Sequence, residues 1–190
     1  MAYTTKQSLL EAIRSNSEIS WREFYNTYRP LIVFFAKREN LSIEETEDLV
    51  QTVMVKVFKM QETFRYDKSQ GRFRDYLGTV IHNAIVDLYR AKQRSLDCAA
   101  VEVDKVPGTD SFEKLWCREW QNHVFEEALI QVQNTVQETT FQAFQLSVLE
   151  QRPVREVAEF LQISVQNVYE AKSRCIAQLR KKAKVLAEED

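Results

Sequence analysis

The sequence predicts an all-α protein built as two small helical domains joined by a flexible linker. Three observations carry this. Gly and Pro number only three each in 190 residues; strands and tight turns draw on those residues, so their scarcity favours long helices and short loops. Apolar residues recur at helical spacing toward both ends of the chain. Between those stretches, residues 95–110 (SLDCAAVEVDKVPGTD) lose the period and contain the adjacent Pro107 and Gly108, which reads as a linker. The expected organisation is an N-terminal segment 1–17, a first domain 18–94, an acidic linker 95–111 and a second domain 112–190.

Each element has a local reason. Trp21 to Arg38 is aromatic-rich and helical, with Ser20 as its expected cap, and Pro30 is expected to kink or split it because proline removes an amide donor and crowds the previous turn. Ser42-Ile43-Glu44-Glu45 spells a capping box, so a helix should run on to about Met60. At 100° per residue its core stripe is Leu49, Val50, Val53, Met54, Val57 and Met60. The opposite face carries Asp48, Gln51, Thr52, Val55 and Lys59, with Val55 the one large apolar residue on it. A polar loop follows, and then a helix from about Arg72 to Arg94. Its core stripe is Phe73, Leu77, Val80, Ile81, Ala84 and Leu88; Asp75, Thr79, Asn83, Val86 and Arg90 lie on the other face.

Helices resume near Phe112, and Thr135-Val136-Gln137-Glu138 offers a second capping box. Pro153 opens a short helix, Gln162-Ile163-Ser164 forms a turn, and Ser164 caps a long helix from Val165 to about Leu186. Short helix, tight turn and longer helix is the spacing of a helix–turn–helix, whose second helix enters a major groove. On that helix Gln166, Asn167, Glu170, Lys172, Ser173 and Arg174 are the candidate contacts, since amides and guanidinium groups suit purine edges and hydroxyls and lysine suit phosphates. Arg180, Lys181, Lys182 and Lys184 read as a phosphate-attracting tail.

Charge is segregated. Net charge is −2, yet residues 1–95 carry 15 basic and 12 acidic side chains, residues 96–150 carry 3 and 10, and residues 151–190 carry 8 and 6. Two mildly basic ends flank an acidic middle, and charge alone does not separate this from ordinary solvated surfaces. The loop 62–74 mixes Phe64, Tyr66 and Phe73 with Arg65, Lys68, Arg72 and Arg74. Aromatics among basic residues suit single-stranded nucleic acid, where bases stack and phosphates are neutralised.

Other classes find little support. No stretch of eighteen uncharged apolar residues exists, and the N-terminal segment holds Lys6, Glu11 and Arg14 with no apolar signal core. The expected location is the cytoplasm. Cys98, Cys117 and Cys175 are far apart and near neither His82 nor His123 in sequence, so free thiols are expected and no metal ligands. No nucleophile–base pair or glycine-rich phosphate loop is visible, so no catalytic residues and no cofactor are expected.

Three segments carry a family resemblance. DLVQTVMVKVFK (48–59), FRYDKSQGRFRDYLGTVIHNAIVDLYRAKQR (64–94) and VREVAEFLQISVQNVYEAKSRCIAQLRKK (154–182) together resemble the extracytoplasmic-function group of bacterial RNA polymerase sigma factors. The resemblance implies that 48–59 is similar to region 2.2, which docks on the clamp helices of the polymerase β′ subunit through Asp48, Gln51, Thr52 and Val55. It implies that 64–94 is similar to regions 2.3 and 2.4, which open and read the −10 element, with Arg65, Tyr66, Lys68, Arg72, Arg74, Asn83 and Arg90 toward DNA. Segment 153–182 is similar to region 4.2, which reads the −35 element. The implied partners are core polymerase, including the β flap, promoter DNA and in some members an anti-sigma factor. Tyr76 stands where the family often has tryptophan, and Tyr169 and Glu170 where many members carry small or basic residues.

The rival reading is a helix–turn–helix regulator that is not a polymerase subunit. It requires a ligand pocket or phosphoacceptor in residues 1–110. A second rival, a helical adaptor binding only protein, needs neither the basic loop nor the recognition helix.

Overall fold

In the computed structural model the described residues are 18–63, 73–95 and 109–188. Every element among them is helical: α1 Glu18–Arg38, α2 Ile43–Thr63, α3 Phe73–Ser95, α4 Thr109–Gln133, α5 Glu138–Phe144, a π-helical turn Gln145–Leu149, α6 Val154–Phe160 and α7 Val165–Glu188. None of these helices is long and apolar enough to cross a membrane. The described residues divide into two compact units between Gln121 and Asn122.

In the first unit α2 packs on both α1 and α3. Its core is Phe24, Tyr28, Ile32 and Phe35 from α1, Leu49, Val50, Val53 and Val57 from α2, and Phe73, Leu77, Ile81 and Ile85 from α3. The α2 and α3 stripes follow the 3.6 period as expected, except that Met54 and Leu88 are only half-buried and Ile85 takes a core place; the Met60 side chain lies outside the described residues. The Ser42 capping box forms: the Glu45 amide donates to Ser42 Oγ at 3.2 Å and the Ser42 amide to Glu45 Oε2 at 2.9 Å. The box sets the start of α2 because each partner satisfies an amide that the first turn leaves unpaired.

Several local expectations are corrected. Pro30 does not split α1, which runs as one element from Glu18, so Ser20 lies inside it and cannot be its N-cap. The box at Thr135 does not form. The Thr135 hydroxyl donates back to the Gln131 carbonyl at 2.5 Å, its amide pairs with the Val132 carbonyl, and Gln137 is the N-cap of α5 without a side-chain bond. Thr135 is thus held by the close of α4 and is unavailable to α5.

The largest difference concerns α4. The second domain was expected to begin at 112, but Phe112, Trp116 and Trp120 are buried within the first unit. Phe112 lies 4.9 Å and Trp116 5.6 Å from Phe35, and Trp120 lies 6.1 Å from Tyr28, between ring centroids. Positions i, i+4 and i+8 place these rings along one stripe of α4, and aromatic area of this size dominates local burial.

In the second unit α5 and α6 both pack on α7 around Ala143, Val157, Ala158, Val168 and Ala171, with Leu146, Val154, Leu161 and Ile163 at the margin. Helix α6 ends in a Schellman motif. The Ile163 amide reaches the Ala158 carbonyl at 3.0 Å, the Gln162 amide reaches Glu159 at 3.2 Å, and Gln162 sits at φ 54°. That left-handed residue reverses the chain in the short space before Ser164, whose Oγ accepts from the Asn167 amide at 3.0 Å and starts α7.

Candidate nucleic-acid interface

In the first unit two faces matter. On α2, Asp48, Gln51, Thr52 and Val55 are all exposed and point away from the core stripe; Val55 is 43% accessible. Phe58, also partly exposed, packs on Trp21 at 5.1 Å.

On α3, Asp75, Thr79, Asn83 and Arg90 form an exposed face. An open cleft of about 540 Å³ runs along part of it, lined by Arg74, Asp75, Gly78, Thr79, His82 and Asn83 from α3 and Phe112, Glu113, Trp116 and Cys117 from α4. Arg74 and Asn83 therefore share one cleft, whereas Arg90, about two turns beyond Asn83, lies outside its lining and sits 3.8 Å from Asp87. The Arg74 guanidinium is turned onto α4, with Nη2 donating to Cys117 Sγ at 2.7 Å. Arg65, Tyr66, Lys68 and Arg72 lie outside the described residues, as do Phe64 and Cys98. Phe73, counted both with the loop aromatics and in the α3 core stripe, follows the stripe: it is buried 5.5 Å from Tyr28 and 5.9 Å from Phe24, so it anchors the core and offers no ring for base stacking.

Ion pairs hold this end of the unit in register. Lys92 Nζ lies 2.7 Å from Glu45, and together with the Ser42 amide it holds the Glu45 carboxyl below the usual range. Tyr89 donates to the Glu39 carbonyl at 3.1 Å. Partial burial pushes the Glu39 carboxyl upward, against the Tyr89 hydroxyl and the Arg38 charge.

In the second unit Gln166, Asn167, Glu170, Ser173 and Arg174 are exposed on α7 and Lys172 is half-exposed. Gln166 Nε2 donates to Glu170 Oε1 at 3.1 Å, so Glu170 takes the amide four residues back as its partner. Asn167, Glu170 and Arg174 line a shallow cleft of about 310 Å³ with Gln137, Thr139 and Thr140. Cys175 faces inward beneath them, and burial raises its thiol pKa.

The arrangement suits binding. Among the described residues no three His, Cys, Asp or Glu side chains are placed to hold a metal. What the two units offer is polar side chains with both donors and acceptors on helix faces, suited to base edges and phosphates. The contribution of α4 to the α3 cleft was missed by sequence reasoning. Its signal was available in the Phe112, Trp116, Trp120 spacing, which marks a helix stripe that must be buried somewhere.

Residues 24–95 match the family model for sigma-70 region 2. No curated protein matches the chain. The match begins inside α1, takes in α2 and α3, and ends before α4. The likeness is to that region alone, over fewer than half of the chain's residues.

Proposed function

We propose that the chain is a promoter-specificity subunit of the extracytoplasmic-function type, which directs core RNA polymerase to promoters through −10 and −35 recognition. The observation that carries this reading is the region 2 match over residues 24–95. Within it Asp48, Gln51, Thr52 and Val55 form an exposed stripe on α2, which is assigned to the β′ clamp helices. The α3 face with Arg74, Asn83 and Arg90, together with Arg65, Tyr66, Lys68 and Arg72, is assigned to the −10 element. Capture of an unstacked base there offsets a few kcal/mol of unpairing. The helix–turn–helix of α6 and α7 supports the −35 assignment, with Gln166, Asn167, Glu170, Lys172, Ser173 and Arg174 toward the groove. Two weak DNA contacts on one chain add through effective concentration, and the same unit is assigned to the β flap.

Run-off transcription with purified core polymerase on genomic fragments tests the reading. Discrete transcripts that depend on the chain are expected. Asn83→Ala should impair open-complex formation on duplex promoter more than on a premelted template. Replacing Asp48 and Gln51 with Ala and Val55 with Asp should abolish co-purification with core enzyme while helicity stays intact. Random or absent initiation would reject the reading.

A further inference from the structure

We infer that the first half of α4 is a strap lying across part of the DNA-facing surface of α3, which must lift before that surface is fully open to promoter DNA. The inference rests on the promoter assignment of α3 above. The two segments run antiparallel, both within the first unit: Arg74 meets Cys117, Gly78 meets Trp116, and His82 meets Phe112. Trp116 is 4% exposed and lies so close to Gly78 that an added Cβ would stand 2.7 Å from its Nε1 and Cε2. The Phe112 ring lies 4.8 Å from His82. The strap thus covers three successive turns of α3 and leaves Thr79 and Asn83 exposed at its edge.

The contact is balanced rather than tight. Apolar burial of Phe112 and Trp116 holds it. Against this, Trp116 Nε1 is buried with no hydrogen-bond acceptor, and Arg74 Nε, also buried, has only the Asp75 carboxylate 4.0 Å away, beyond hydrogen-bond reach. The acceptor for Arg74 Nη2 is a thiol, which is a weak one. Buried donors without acceptors oppose the closed state, because water or a phosphate oxygen satisfies them once the strap is off. Arg74 is also one of the promoter contacts assigned to α3. Strap and DNA therefore compete for the same guanidinium, and each weakens the other by linkage.

Gly78→Ala in the full chain tests this. The methyl group removes the room for Trp116, while alanine favours the helix, so α3 itself is not weakened. Tryptophan emission of the free variant should shift to the red. Affinity of the holoenzyme for a premelted fragment of a promoter found by run-off transcription should rise by on the order of tenfold, within the usual range of coupling between sites. Cys117→Ala, at an exposed position, should give a smaller rise by freeing Arg74 without disturbing the core. It keeps the question answerable if Gly78→Ala fails to fold. Red-shifted emission with unchanged or weaker DNA binding would make α4 a wall of the site and overturn the inference, as would unshifted emission with unchanged affinity in both variants. A wild-type chain that supports no run-off transcription would instead sink the functional reading, and the strap with it.

Discussion

The core of the first unit is rich in rings among its aliphatic side chains, and that of the second is made largely of small side chains. Phe24, Tyr28, Phe35, Phe73, Phe112, Trp116 and Trp120 are buried in the first unit; in the second, Ala143, Val157, Ala158, Val168 and Ala171 surround the helix crossing, with Phe141 and Phe144 to one side. Interaxial distance follows the side chains at the contact. Small residues let α7 lie close on α5 and α6, and its outward face stays exposed, with Gln166, Asn167, Glu170, Ser173 and Arg174 beside Val165 and Tyr169. Rings leave wider grooves that a further element can fill, and in the first unit α4 fills one. The candidate DNA face is open in the second unit and partly covered in the first.

The strongest way to break this comparison is to remove a large side chain from the ring-rich core. Leu77→Ala, at a fully buried position, should cost about 2–5 kcal/mol. All three tryptophans, at 21, 116 and 120, lie in the first unit. Denaturation followed by tryptophan emission should therefore show the full loss. An unmoved midpoint would mean that α3 does not organise that core.

The opposite operation suits the second unit. Ala158→Leu adds volume at a close helix crossing and should cost about 1–3 kcal/mol. Hydrogen exchange should speed up at Val168 and Ala171 and stay unchanged at Leu77 and Ile81. Full protection at Val168 would show that the small-residue core has room to spare.

Caps sharpen the comparison at a smaller scale. Ser42 takes part in two reciprocal bonds, while Ser164 makes one. Alanine removes one amide–Oγ bond at either position, since the Ser42 backbone amide keeps its bond to Glu45, so each replacement should cost about 0.5–2 kcal/mol by urea midpoint.

The smallest expected effect is a dependence on acid. Glu45 has its pKa lowered in the folded state by Lys92 and by the Ser42 amide. Its charge therefore contributes stability above the usual carboxylate pKa, and that contribution is lost as pH falls through the lowered value. Glu39 is shifted the other way by burial, so its protonation relieves a cost over a higher window. Glu45→Gln should flatten the acid limb of the stability profile in thermal melts. An unchanged limb would show that the Lys92 contact carries no weight in solution.

Much of this was legible from residues a few positions apart. The capping box at Ser42 and the cap at Ser164 need partners only three residues on, so the sequence spells them, and α2 and α7 begin where expected. The stripes of α2 and α3 followed because each helix buries the face its own period defines. The exposed set Asp48, Gln51, Thr52, Val55 is the complement of the α2 stripe, and Gln166, Asn167, Glu170, Arg174 that of the buried Val168, Ala171, Cys175 and Leu179 on α7. Local pattern failed where a residue had two possible partners. Thr135 could serve the end of α4 or the start of α5, and the carbonyl of Gln131 claimed it.

The sequence by itself determined that the chain is helical, where most helices start, and which side of each turns inward, because these depend on hydrogen bonds and periodicity within a turn or two. Only the tertiary structure decided that Phe112, Trp116 and Trp120 join the first unit, that Gly78 is the floor beneath an indole, and that Arg74 turns to Cys117, 43 residues along the chain. An aromatic stripe announces that it must be buried and says nothing of where. The answer depends on which groove, built by residues far away in sequence, has the matching width.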